Sequence, residues 1–178
     1  MSTYTIDNAH SRIGFAVKHM VISTVRGQFH EFTSTVEVDE AHPHGAEIDV
    51  EIQAKSVDTG QSMRDDDLRS ENFFDVAKHP TITFKSTKIE PQGGNQYRIT
   101  GDLTIHGETK PVTLSGTVDG PIDDPFGSGG RVGVELTGDI DRREFGLLYG
   151  SAVEGVRVIV ANEAKLEIAA EYTKPKEG

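Results

Sequence analysis

The sequence predicts an all-β fold: a single antiparallel β-barrel, closed by about eight strands, with a short helix near residues 61–70. Three observations carry this. Apolar side chains recur at every second position in run after run. Turn-forming dipeptides separate the runs. One short stretch alone departs from the alternation. Strands with one wet and one dry face mark antiparallel sheet rather than βαβ units.

The first alternating run sets Ile13, Phe15 and Val17 against Arg12, Gly14, Ala16 and Lys18. Between Ser23 and Glu40 the parity breaks, with Phe29 on one face and Phe32, Val36 and Val38 on the other. A bulge near His30-Glu31 accounts for the switch and would help curve the sheet toward closure. Ile48, Val50 and Ile52 alternate next with Glu47, Asp49, Glu51 and Gln53. Tyr97, Ile99, Leu103 and Ile105 form a later run, then Val112, Leu114 and Val118. Val132, Val134, Leu136 and Ile140 follow, and Leu166 with Ile168 closes the series. The turns fall at Asp7-Asn8, Pro43-His44-Gly45, Gly93-Gly94-Asn95, His106-Gly107, Gly120-Pro121 and the Pro125 to Gly130 stretch.

From Gln61 to Ser70, Met63 and Leu68 stand among Arg64, Asp65, Asp66, Asp67 and Arg69. This reads as a short helix that Asp58 or Thr59 caps. Phe73 and Phe74 follow it directly, so the segment either lies across a barrel mouth or forms a surface helix with its Phe pair in the core. The tail from Lys174 to Gly178 is expected to fray. There is no internal repeat, linker or low-complexity segment, so residues 1–178 read as one domain.

Composition narrows the function. Hydrophobic residues make up 35% and charged residues 26% of the 178 residues, too apolar for a disordered chain and too polar for a membrane protein. No apolar run approaches the ~20 residues that span a bilayer, so stable membrane insertion is not expected. A net charge of −11 repels phosphate backbones and argues against nucleic-acid binding. The chain has no cysteine, which removes disulfides, thiol nucleophiles and the usual structural zinc sites. The amino terminus shows no basic-then-apolar leader, and a cytoplasmic location is the expectation.

Chemical motifs are sparse. His42-Pro43-His44 is the only close histidine pair, in a turn, while His10, His19, His30, His79 and His106 are scattered along the sequence, so no metal site is expected. No Gly-x-Ser-x-Gly elbow, dinucleotide fingerprint or phosphate loop occurs. The Asp65-Asp66-Asp67 run splays around a helix and reads as a solvated face. Parity places His19 with Phe15 and Val17, and Arg142 with Val132, Val134, Leu136 and Ile140, so both point inward near strand ends. A buried Arg needs an acceptor. Either an internal carboxylate such as Asp7 or Glu144 supplies it, or the polar head of a ligand does.

The landmarks resemble the YceI-like family in order along nearly the whole chain. Tyr4-x-Ile6-Asp7, His10-Ser11, Phe15-x-Val17-Lys18-His19-Met20 and Gly27-x-Phe29 resemble its opening. Arg64-Asp65 with Leu68, Phe73-Phe74-Asp75 and Pro80-x-x-x-Phe84 resemble its central signature. Gly101-Asp102-Leu103-Thr104-Ile105 with Gly107 and Pro111-Val112 resemble the next, and Arg142-x-x-Phe145-Gly146 the last. The resemblance implies a lipocalin-like barrel that binds amphiphiles, with polyprenyl chains bearing pyrophosphate or quinone-like heads as cargo, and without catalysis or cofactor. It also marks one departure: Asp67 stands where a histidine often precedes the helix leucine.

The expected lining comprises Phe15, Val17, Phe29, Phe32 and Phe84, with Leu103, Ile105 and Leu136 on the later strands. Met63, Leu68, Phe73 and Phe74 join from the helical segment, and Phe145 from the late signature. His19 and Arg142 are the candidates for a polar head. The competing readings are an enzyme built on His19 with Asp7 or Ser11, and a filled barrel that serves as an interaction module. A homodimer, edge-paired or loop-exchanged, is compatible with either.

Overall fold

The alternating runs form strands in the order the sequence predicts. The structure is a computed structural model and describes residues 1–149 and 160–175. Its strands are β1 (Ser2–Ile6), β2 (Arg12–His19), β3 (Ser23–Phe29), β4 (Phe32–Val38), β5 (Glu47–Gln53) and β6 (Val57–Asp58). The helix α1 (Ser62–Arg69) follows, then β7 (Thr81–Pro91), β8 (Gln96–Ile105), β9 (Glu108–Ile122), β10 (Gly130–Asp141) and β11 (Val160–Lys174).

These eleven segments make an eight-stranded closed antiparallel barrel, because three of its strands are each broken in two. β1 and β2 run in line, as do β3 with β4 and β5 with β6. The ladder Tyr4↔Val36 is continued past the breaks by Ile13↔Phe29, and Phe32↔Ile52 by Phe29↔Val57. β7 to β11 then follow as neighbours in sequence order. β11 closes the ring by pairing Ile168 with Ile13 of β2 and Thr5 of β1 with Thr173. Closure leaves little unpaired edge, the two-residue β6 pairing with β3 alone and the Arg69 guanidinium donating to its Val57 carbonyl, and this is how such barrels avoid edge-to-edge association.

The parity switch near His30-Glu31 is a break and not a bulge. A bulge inserts a residue into a ladder that continues on the same partner. Here β3 and β4 have different partners on each side, and the neighbouring strand is broken at the same level, at Ala54–Ser56. Cross-bonds hold the corner: the His30 amide donates to the Ser56 carbonyl (3.2 Å), the Gln53 amide to the Glu31 carbonyl (2.9 Å), and the Glu31 amide to Ser56 Oγ (3.0 Å). On β1–β2 the matching break is a 3-10 turn, Asn8–His10, which Asp7 caps by accepting from the Ala9 amide.

The helix forms where expected but is capped otherwise. Gln61 is the cap, its side chain accepting from the Arg64 amide at 2.7 Å. Thr59 donates instead, through its amide (2.9 Å) and its hydroxyl (2.6 Å), to Oδ1 of the buried Asp65. The carboxylate inside the first turn therefore pulls the preceding chain back onto the helix. Lys174, expected at the start of a frayed tail, instead ends β11, and its Nζ bonds Glu40 Oε1 at 2.7 Å. Residues 176–178 lie outside the described set.

One charge cluster ties the seam. Arg131 of β10 reaches Asp7 Oδ2 (3.0 Å), Asp124 Oδ2 (3.3 Å) and the Glu171 carboxylate of β11. It joins the β1–β2 break, the β9–β10 loop and the closing strand. Asp124 is held down to about 2, by the Ser128 hydroxyl first, then by the Phe126 amide and Arg131. Asp7 also sits below the usual carboxylate range, held there by His10 and Arg131. Such carboxyls titrate near ~3.9 in an unfolded chain, so on acidification the unfolded state takes up protons first. The stabilisation is complete above pH ~4 and is lost as pH falls toward about 2, where folded Asp124 takes its proton. Asp124→Asn is expected to lower stability at pH 7 and to flatten the decline between pH ~4 and ~2, as read by urea unfolding at a series of pH values. Parallel wild-type and variant curves would contradict this.

Candidate functional site: the barrel cavity

Period-two spacing sends one set of side chains from every strand to the same place, and in this barrel they do not fill it. A cavity of about 800 Å³ runs through the ring. The inward residues named from the alternation line it, from Ile13 on β2 to Ile168 on β11, with Phe32 the exception. This answers the filled-barrel reading. Glycines help keep the lumen open. A Cβ at Gly27 would come within 2.4 Å of the Phe15 ring, and one at Gly101 within 2.4 Å of the Phe84 ring. Each ring therefore lies flat against the wall, in the space a side chain would take, instead of projecting across the lumen.

The predicted lining is mostly present. Phe15, Val17, Phe29, Phe84, Leu103, Ile105 and Leu136 face the cavity, as do Leu68, Phe73 and Phe74. Phe29 contacts Phe15 and Phe74, with centroids 5.8 Å apart in each pair. Phe73 meets Tyr149 edge to face at 5.3 Å. The helical segment therefore lies across one mouth, which settles the choice left open by the sequence. Three expected residues are placed elsewhere. Met63 points outward, 78% exposed, because the helix presents Leu68 to the barrel and Met63 to the opposite side. Phe32 and Phe145 are buried in wall packing outside the lining. Phe32 shares the face of Val36 and Val38 and pairs with Ile52, but it sits beside the corner at the very start of β4, and Phe145 sits in the 3-10 turn Arg142–Phe145.

The two mouths differ in charge. At the α1 end the lining includes Lys18, His19, Arg64 and Asp67. Arg64 is braced by Thr59, through Nε to the hydroxyl (2.7 Å) and a terminal nitrogen to the carbonyl (2.9 Å). Asp67, the departure from the family pattern, does line this mouth and accepts from Asn72 Nδ2 at 3.0 Å. At the far end the polar groups are Tyr4 and Glu40, joined at 3.1 Å. Sequence reasoning missed Tyr4, Glu40, Leu147 and Tyr149, which reach the lumen from strand ends and loops where alternation gives no signal.

Arg142 points inward as parity requires, but neither Asp7 nor Glu144 neutralises it. It is 4% exposed and donates to four carbonyls: Ala161 (2.8 Å), Leu147 (2.6 Å), Tyr149 (2.8 Å) and Val160 (3.0 Å). Burial pushes the guanidinium below its ordinary value. Four of its five N–H donors are thus spent on carbonyls of β11 and of the chain that follows the 3-10 turn, and the head-group role loses most of its chemistry. The enzyme constellation is not assembled either. Ser11 and His19 stand at opposite ends of the extended β2, eight residues and roughly 26 Å apart. Asp7 is engaged with His10 (2.8 Å) and Arg131.

Comparison with known proteins places this geometry. The model of the YceI-like domain matches residues 4–172. The chain is 39% identical to the YceI protein of Salmonella newport over 164 residues, covering 90% of this chain and 85% of that one. It is also 39% identical to a UPF0312 protein of Pectobacterium atrosepticum over 159 residues, 88% and 82% of the two chains. Among solved structures it resembles BcnA of Burkholderia cenocepacia (TM-score 0.80, 28% identity, 93% and 98% covered). A polyisoprenoid-binding domain from Saccharophagus degradans shares the fold at 15% identity (TM-score 0.68, 98% and 100% covered). By its sequence from end to end and by its barrel, this chain belongs to the YceI-like family.

Proposed function

We propose that the barrel binds a single long-chain amphiphile of the polyisoprenoid class, tail in the lumen and head at the α1 mouth, and carries or stores it. The supporting observation is the open lumen of about 800 Å³ walled by aliphatic and aromatic side chains from every strand of the ring. A polyisoprenoid-binding neighbour with the same fold points to the same ligand class.

The energetics favour the tail as the source of affinity. Each buried methylene contributes ~0.8 kcal/mol, so a five-carbon unit gains a few kcal/mol before ordering costs. A carbon-sized group needs roughly the ~30 Å³ share of a water molecule, so the lumen holds on the order of 25 carbons, about five prenyl units. Electrostatics orient the head. Lys18, His19 and Arg64 rim the α1 mouth, whereas Glu40 rims the other. An anionic head such as pyrophosphate is drawn to the first, while at the second Glu40 is already paired with Lys174 Nζ (2.7 Å) and the site has no surplus of positive charge to offer. Asp67 weakens that preference and favours a head of lower charge.

Titration with prenyl alcohols and pyrophosphates of increasing length is expected to show affinity rising with each unit and levelling off near five or six. A response independent of length would remove the proposal. Ile99→Trp fills lumen volume deeper along β8 from the α1 mouth and is expected to lower affinity for the longest ligands at least tenfold while short ones still bind. Asp67→His is expected to strengthen pyrophosphate binding more than alcohol binding, and equal effects on both would contradict the head placement.

A further inference from the structure

We propose that Asp75, His79 and His106 form a Zn²⁺ site that fastens the segment carrying Phe73 and Phe74 to the barrel wall. Residues far apart in sequence converge here. One ligand atom from each lies within 4.8 Å of the others. The His79 and His106 rings meet edge to face with centroids 4.7 Å apart. Among the described residues no hydrogen bond engages either imidazole. The Asp75 side chain is 14% exposed, and its nearest cation, Lys78 Nζ, lies 3.8 Å away on a side chain that is itself 74% exposed.

Local structure prepares the arrangement. The Asp75 carbonyl accepts from the amides of Lys78 (3.0 Å) and His79 (2.8 Å), a single helical turn that sets residues i and i+4 on one side. His106 comes from the tip of the β8–β9 hairpin. Asp75 and His106 both take left-handed backbone, φ +48° and +55°, a conformation uncommon outside glycine. Two glycines make room for the rings. A Cβ at Gly107 would stand 3.0 Å from the His79 ring, and one at Gly146 would stand 3.1 Å from His106 Nδ1.

The donor set selects the ion. Two imidazoles and a carboxylate suit Zn²⁺, with water as the fourth ligand, better than Ca²⁺ or Mg²⁺, which take oxygen donors. Bonds of ~2.0–2.1 Å in a tetrahedron put ligand atoms about 3.3 Å apart, so these need only a modest closing movement. The other cluster of this kind among the described residues, Asp7, His10 and Glu171, differs because the Arg131 guanidinium already bonds both of its carboxylates.

Bound Zn²⁺ would tie the mouth-covering segment to the β8–β9 hairpin. The test is titration of chelator-treated full-length protein with ZnCl₂ by calorimetry, with metal content and Tm measured in parallel. One Zn²⁺ per chain and a raised Tm are expected, with affinity reduced at least tenfold in His79→Ala and in His106→Asn. Asn is chosen because it accepts the left-handed conformation, and circular dichroism checks that each variant is folded. The double variant His42→Ala/His44→Ala is expected to bind as wild type. Absence of uptake by wild type would overturn the proposal, as would uptake unchanged by both site variants or lost only in the His42/His44 variant. The readout needs no lipid, so a failed prenyl titration leaves it intact.

Discussion

Closure of the sheet through β11 is the constraint from which the rest follows. β11 pairs with β10 along one side and with both halves of the first broken strand along the other. Once the ring is complete, its long ladders are satisfied within it, and the alternating residues have only two environments, water or lumen. The wall then has to be apolar on its inner face whether or not that face packs against itself. In this chain it does not, and two of its large rings lie flat over glycines, leaving a cavity of about 800 Å³.

Closing a ring from strands of this length requires bends, and their placement explains the polar chemistry around the barrel. The three broken strands bend at one level, where their interrupted ladders leave amides and carbonyls to be satisfied by Ser56, Glu31 and Asp7. Arg131 sits beside this corner near the start of β10, and Arg142 directly follows the other end of that strand. The first is an ion-pair centre and the second a carbonyl clamp. Arg142 is buried and Arg131 partly so, and both hold the closing strand.

The inner wall was legible in the sequence because its signal is local. Ile48, Val50 and Ile52 announce their face within one strand, and the ring geometry only gathers what each strand already displays. Helix α1 was legible as well, from a break in the same signal. Arg142 was half legible: parity gave its direction, but its acceptors are carbonyls of residues 147–161, and no side-chain pattern encodes carbonyls. The His79–His106 contact was illegible for the same reason. It depends on how the chain leaving α1 meets a hairpin tip, a long-range fact with no periodicity behind it. Met63 and Phe32 show the limit of reading face from residue type, since both are apolar and neither reaches the lumen.

The account rests on the lumen being occupied by hydrocarbon rather than by water or protein. Native mass spectrometry of the protein as purified from cells, with organic extraction of the same sample, addresses this most directly. The account predicts a mass increment of one small molecule per chain, released by solvent as a chain-like apolar compound. A bare polypeptide mass, unchanged after incubation with prenyl lipids, would contradict it.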